Sequence, residues 1–271
     1  MRMFLLCLVV IAVFAALAPG AEPENERLLP FGKNWAGDQK LPLPFGASLT
    51  LHRQDQGYKI RKLDLQFKGG VIPGMDLGQI AGVEVDNELL EVDGQLDVWL
   101  LPFLNVFALL GNIEGKTSVG GEVVESFLGN SLVVEYEGIV YGCGATLAGG
   151  WKRLFASLTY TFTDTDLEDA SSAINAWVLT PKVGLVNERG AIWVGAMYQE
   201  AQEKQKGSRS ITLLVPEARA VWIDYDAELE QKQAWNYLGG LHVMLGEHWH
   251  VELEGGFGDR KQATLSASYR F

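Results

Sequence analysis

The chain has little with which to cross-link itself: two cysteines in 271 residues, of which Cys7 falls inside an apolar N-terminal stretch. Cys143 would then stand alone after processing, and an intramolecular disulfide is excluded even in an oxidising compartment. An excess of positive charge is also missing. With 22 Lys and Arg against 34 Asp and Glu, the net charge is -12, which is the wrong sign for a nucleic-acid binder. Beyond the first 21 residues there is no run of about 18 apolar residues, so helical membrane spans are not expected. The longest candidate, Val98 to Leu110, is interrupted by Pro102 and Asn105, which reads as two strands around a tight turn. Yet 48% of the residues are hydrophobic, too many for a disordered chain.

The first 21 residues read as a secretory signal. Arg2 gives a positive start, Met3 to Leu17 an apolar stretch, and Ala18-Pro19-Gly20-Ala21 the small residues of a cleavage site. Cutting after Gly20 or Ala21 is expected, and losing Arg2 would take the net charge from -12 to -13. Glu22, Glu24 and Glu26 follow at once, which argues against a retained anchor. Cys7 lacks a lipoprotein setting. Residues 22–42, rich in Pro, Gly and charge, read as an irregular periplasmic arm, and residues 43–271 as one domain.

From residue 138 onward, stretches of about ten alternating residues are separated by turn formers, the pattern of an all-β, antiparallel, up-and-down barrel. Ala263, Leu265, Ala267, Tyr269 and Phe271 alternate with Thr264, Ser266, Ser268 and Arg270. Trp249, Val251, Leu253, Gly255 and Phe257 alternate with His250, Glu252, Glu254 and Gly256. Leu154 to Phe162 and Trp235 to Leu245 follow suit. Each strand therefore has one greasy and one wet face, which a soluble barrel would also give, with the greasy face inward.

The chain ends distinguish the two cases. Leu265, Ala267, Tyr269 and the terminal Phe271 resemble the insertion signal of bacterial outer-membrane proteins, with aromatic or apolar residues at every second position. Leu96 to Phe107 and Gly256 to Lys261 resemble segments of a group of Gram-negative outer-membrane proteins from which no activity transfers. The resemblance implies a transmembrane barrel in the outer membrane, with membrane lipid, lipopolysaccharide and the barrel-assembly machinery as partners. It also implies a periplasmic C-terminus. Short periplasmic turns then fall at Gly246-Glu247-His248, Asn187 to Gly190, Gly149-Gly150-Trp151 and Pro102 to Asn105, with Trp151, Trp249 and Phe271 at the same rim. Longer, charged connections at 112–137, 164–173 and 203–233 fall on the outer side. With a first strand at Phe45 to Gln54 this gives about ten strands, eight to twelve being compatible. Residues 55–93 resist assignment. Tyr58 and Ile60 keep one phase and Leu63, Leu65 and Phe67 the other, as in a bulged strand, a large loop or an extra hairpin.

The sequence offers few chemical motifs. Gly111-Asn112-Ile113-Glu114-Gly115-Lys116-Thr117 has three residues between its glycines where a phosphate-binding loop needs four, and no helix should follow it. His248 and His250 lack a third metal ligand, and Asp164, Asp166, Glu168 and Asp169 lack the glycine of a calcium loop. No cofactor is expected.

The polar faces of the last three strands carry a more interesting set. Hairpins turning near His248 and Arg260 would set His242 opposite Glu252, Glu252 opposite Ser268 and His250 opposite Arg270. A His between a carboxylate and a hydroxyl could activate that hydroxyl for acyl transfer, with residue types that barrel-borne lipid A deacylases use. A structural polar network of His242, Glu252, Ser268, His250 and Arg270 filling the lumen is the favoured reading. Three functions stay open: a nonenzymatic barrel with a narrow passage for a small solute, a lipid or ester hydrolase, and a structural or adhesive surface barrel.

Overall fold

A computed structural model of the chain describes residues 29–36, 41–68, 83–122, 131–168, 173–213 and 219–271. The expected signal, residues 1–21, lies outside them, as does most of the arm. The described part of that arm is a short 3-10 turn at Lys33–Ala36, whose Trp35 stacks on Phe103. Eleven strands follow: β1 (Phe45–Lys68), β2 (Glu84–Leu101), β3 (Leu104–Gly120), β4 (Leu132–Trp151), β5 (Leu154–Leu167), β6 (Ala173–Asn187), β7 (Gly190–Leu213), β8 (Arg219–Gln231), β9 (Trp235–Leu245), β10 (Trp249–Phe257) and β11 (Arg260–Arg270).

All described pairings are antiparallel, and β11 pairs back onto β1, so the sheet closes. Two of the eleven strands share one place in the ring. The upper half of β7 pairs with β8 and its lower half with β9. Together β8 and β9 form one long descending strand, broken at residues 232–234, and the ring has ten strands. The other edge of β8 pairs with the top of β1, from Tyr58↔Gln231 to Lys68↔Trp222. The short β10–β11 hairpin is wedged below that seam, between β9 and the lower part of β1. The barrel is therefore ten strands around at one end and eight at the other.

A row of paired residues leaving β1 at Gln54 passes through Gln262, Gly256, Leu238, Gly195, Lys182, Ser157 and Ala148. It returns to the foot of β1 about 12 residues below its start, which for ten strands means a tilt of ~40° and a radius of ~10 Å. Short turns at Pro102-Phe103, Lys152-Arg153, Glu188-Arg189 and Gly246-Glu247-His248 all sit at the ten-stranded end. Gly246 supplies the positive φ (79°) that the last of these needs. Three turns fall where the sequence put them. The fourth lies two residues later than Gly149 to Trp151, because β4 continues through Trp151.

The described parts of the segments expected as long outer loops are mostly strand: β3 runs to Gly120, β5 to Leu167, β7 to Leu213 and β8 from Arg219 to Gln231, with 123–130, 169–172 and 214–218 outside the described residues. Within residues 55–93, of which 69–82 lie outside the described residues, β1 continues to Lys68 with a register shift between Ile60 and Lys62, and β2 begins at Glu84. A bulged strand was one of the three alternatives, and the extra residue is the reason for the phase change.

The two storeys of the barrel have opposite hydropathy. In the lower storey Leu49, Leu51, Leu158, Val183, Val194, Leu241, Leu253 and Leu265 point outward and are exposed, while Ser48, Gln54, Glu254 and Gln262 point inward and are buried. Higher up, Glu88, Glu114, Lys116, Glu135 and Glu137 are on the outside, and Tyr58, Val85, Ile113, Val134 and Leu229 are buried within. Tyr58, Val85 and Leu229 pack together there with Ile60, Val83 and Val119.

A narrow ring can hold large inward side chains only if their neighbours are small. Four inward aromatic side chains lie over a glycine directly opposite on the adjacent strand: Phe107 over Gly144, Tyr136 over Gly115, Phe155 over Gly184 and Trp193 over Gly240. A Cβ at any of these glycines would strike the ring.

Candidate functional site in the barrel lumen

Two outward aromatic belts bound the lower storey. One runs Tyr160–Trp177–Tyr198–Trp235, with ring centroids 6.3, 5.0 and 5.2 Å apart, and continues to the Tyr237–Phe257 pair. The other, at the turn end, joins Trp249, Tyr269, Phe271 and Phe45 and includes exposed Trp151. Trp249 and Phe257 mark the two belts on β10, eight residues apart, which at ~3.3 Å per residue and a ~40° tilt gives a height of ~20 Å. An apolar band of about this height between aromatic girdles is what a bilayer's hydrocarbon layer requires.

Inside that band the lumen walls differ. From β3 to β5 the inward positions carry no charge, and β5 presents Thr159, Thr161, Thr163 and Thr165 in succession. The opposite wall, from β9 through β11 to β2, carries His242, His250, Glu252, Glu254, Arg260, Arg270, His52, Glu91, Asp93 and Asp97.

Among the described residues three cations face the lumen. Lys182 on β6 donates to Glu252 Oε1 and Glu254 Oε2, each at 3.0 Å, and its ammonium sits 3.8 Å from the centre of the Trp193 ring. Arg270 Nη2 donates to Asp97 Oδ1 at 2.9 Å, and Asn105 donates to the same carboxylate. Arg260, buried at the tip of the β10–β11 hairpin, donates to the Gln56 and Gln199 amide oxygens. Lumen water is not excluded everywhere: the Glu252 side chain keeps 40% of its exposure while facing inward.

All five residues of the expected polar network face the lumen, but the pairing differs in part. His242 is opposite Glu252, as the sequence indicated. Glu252 is opposite Ser266, however, and Ser268 is opposite His250. The β10–β11 turn is Gly258-Asp259, one step earlier than a turn at Arg260, and each partner shifts by two. The imidazoles of His242 and His250 instead pair with each other, Nε2 to Nδ1 at 3.0 Å, in stacked rings. Glu252 is engaged by Lys182 and Arg270 by Asp97, so carboxylate, imidazole and hydroxyl do not line up on Ser268.

Sequence reading missed Lys182, Glu254, His52, Glu91, Asp93, Asp97 and Arg260. Glu254 and His52 lay on strands already read from their alternation; the others did not. The insertion-signal residues Leu265, Ala267, Tyr269 and Phe271 are on the outward face of β11. His248 lies in the turn, where its Nδ1 is 2.7 Å from the Arg270 carbonyl oxygen. Gly111 to Thr117 is a stretch of β3 and no loop. No group of three metal-ligating side chains suited to an ion occurs among the described residues.

No family model and no curated protein matches the chain. Solved structures do. The transport unit of the Escherichia coli autotransporter AIDA-I is 11% identical with a TM-score of 0.43, over 87% of this chain and 92% of that one. OprG of Pseudomonas aeruginosa is 10% identical at 0.35, over 85% and 99%. The Pseudomonas putida toluene transporter TodX is 10% identical at 0.34, over 84% and 88%. These are likenesses of fold alone. The closed antiparallel ring, the outward apolar band with its two girdles and the polar interior together define the class. The protein is an outer-membrane β-barrel.

Proposed function

We propose that the barrel is a nonenzymatic, gated passage for a small solute across the outer membrane of a Gram-negative cell. The chain would reach that membrane through a cleaved signal and be inserted there by the barrel-assembly machinery. The observation that supports the passage is a polar lumen with room for water. Inward-facing Glu252 keeps 40% exposure, with the Tyr58–Val85–Leu229 cluster narrowing the wall above it and the Arg270–Asp97 pair lining the wall at the base. A ring of ~10 Å radius lies between side-chain-filled eight-stranded barrels and open sixteen-stranded porins, so the bore is expected to be narrow.

Two measurements test this reading. The purified protein should sit in the outer-membrane fraction and change gel mobility on heating. In planar bilayers it should give small, intermittent conductance steps; a flat trace over a wide range of voltages would sink the passage.

A further inference from the structure

We propose that Glu91 and Asp93 on β2 form a docking station for the ammonium group of a small organic cation. The inference rests on the passage reading and names the class of solute. Both residues face the lumen, Glu91 opposite His52 on β1 and Ile113 on β3, Asp93 opposite Thr50 and Gly111.

Five carboxylates line the described lumen inside the apolar band, and three are held by cations: Glu252 and Glu254 by Lys182, Asp97 by Arg270. The two left over are neighbours on one face of one strand. No hydrogen bond or ion pair among the described residues reaches either of them, although Asp93 is only 7% exposed. An unpaired buried carboxylate is costly unless something completes it. His52, opposite Glu91, makes its hydrogen bond the other way, from Nδ1 to Thr264 Oγ1 on β11 at 2.8 Å, and none to either carboxylate. Gly111 lets β3 approach the backbone of β2 at Asp93: a Cβ there would strike the Val92 carbonyl oxygen and lie 2.7 Å from Asp93 Cα and Cβ, so a larger residue would displace Asp93 with its strand.

The ligand class follows from geometry. Alternate residues of a strand are ~6.6 Å apart, close enough for their carboxylates to converge, but a bare metal ion takes more ligands than two, and among the described residues no third His, Cys, Asp or Glu completes such a set. An ammonium group has three N–H donors, each reaching ~2.8 Å, and can span both carboxylates and the Thr50 hydroxyl. The uncharged wall of β3 to β5, with its threonine hydroxyls, suits the neutral remainder of such a solute.

The test compares methylammonium chloride with tetramethylammonium chloride, which has the charge but no N–H, on the purified full chain in detergent micelles at equal ionic strength. A ligand that binds only the folded barrel raises its heat-unfolding midpoint. The midpoint should rise with methylammonium relative to tetramethylammonium, and the difference should vanish in Glu91→Gln/Asp93→Asn, or in Glu91→Gln alone if the double variant does not fold. Equal midpoints with the two salts would overturn the station, as would a difference that survives in the variants. Conductance is read separately. A protein silent in bilayers that still shows the ammonium-dependent midpoint would lose the passage and keep the station, whereas conductance without that midpoint shift would do the reverse.

Discussion

Arg270 and Asp97 are 173 residues apart in sequence and meet across the strand that separates them. Both face Gly46 of β1, Arg270 from β11 and Asp97 from β2. A Cβ on Gly46 would collide with the Asp97 carboxylate and come within 3.0 Å of the Arg270 guanidinium. The glycine is thus the gap through which the last strand is tied to the second. The tie is largely shielded from water, with side-chain exposures of 13% and 7%.

Asp97→Ala should therefore strand a shielded guanidinium at the seam where the ring closes. A loss of about 3 kcal/mol is expected, the range for breaking one side of a buried pair. Gly46→Val should have a similar effect by displacing both partners. The heat-modified gel shift reads both; an unchanged midpoint in both variants would show that the pair contributes nothing to closure.

The apolar cluster above the chamber makes a different prediction. Tyr58 is 6% exposed and packs with Val85 and Leu229 where the edge of β1 passes from β11 to β8. Tyr58→Ala should open a cavity at a cost of about 3 kcal/mol. If the cluster is the gate, single-channel steps should also become larger or more frequent than in the unaltered protein. A less stable barrel with unchanged steps would assign the cluster to packing alone.

The sequence made the lower storey legible and hid the upper one for a physical reason. In β9, β10 and β11 a single phase holds, apolar outward and mostly polar inward with Leu238 and Met244 as exceptions, so strands and turns could be read directly. In β1 and β2 the rule inverts along one strand. Leu49 and Leu51 are apolar and outward, while Tyr58 is apolar and inward; on β2, Glu88 faces out beside inward Asn87 and Val85. Above the bilayer water replaces lipid, so the charged face turns outward and the apolar face inward. A reading that assumes one phase per strand takes such a segment for a loop. The lumen site was hidden by the same effect, because Glu91 and Asp93 lie on the stretch where the phase changes. Lys182 was obscured differently: it follows Pro181, which interrupts the described β6–β7 pairing between Leu179↔Tyr198 and Lys182↔Gly195.

The hydrolase alternative has a direct test. Ser268 pairs with His250, whose ring is engaged with His242, and the nearest carboxylate on the expected set, Glu252, is taken by Lys182. Assays with lipid and short-chain ester substrates should give equal, background rates for the unaltered protein and Ser268→Ala. Hydrolysis that disappears in Ser268→Ala would restore the acyl-transfer reading and require the strands to rearrange around the substrate.

Lys182 offers the sharpest test of how the lumen is balanced. Its ammonium lies between Glu252 and Glu254 and against the Trp193 face, and Glu254 is buried. Lys182→Met keeps the length of the stem but leaves two carboxylates without their cation. The expected loss is about 2–3 kcal/mol, below the full range for a buried pair because Glu252 remains 40% exposed. Removing the carboxylates as well, in Lys182→Met with Glu252→Gln and Glu254→Gln, should recover most of the midpoint, since a whole network replaced by neutral groups of similar shape is close to neutral in energy. The two variants should differ in bilayers too. The single variant adds uncompensated negative charge to the chamber and should shift the reversal potential in a potassium chloride gradient toward cations, whereas the triple variant should not. A triple variant no more stable than the single one would mean that Lys182 acts through its contact with Trp193, with the carboxylates as bystanders.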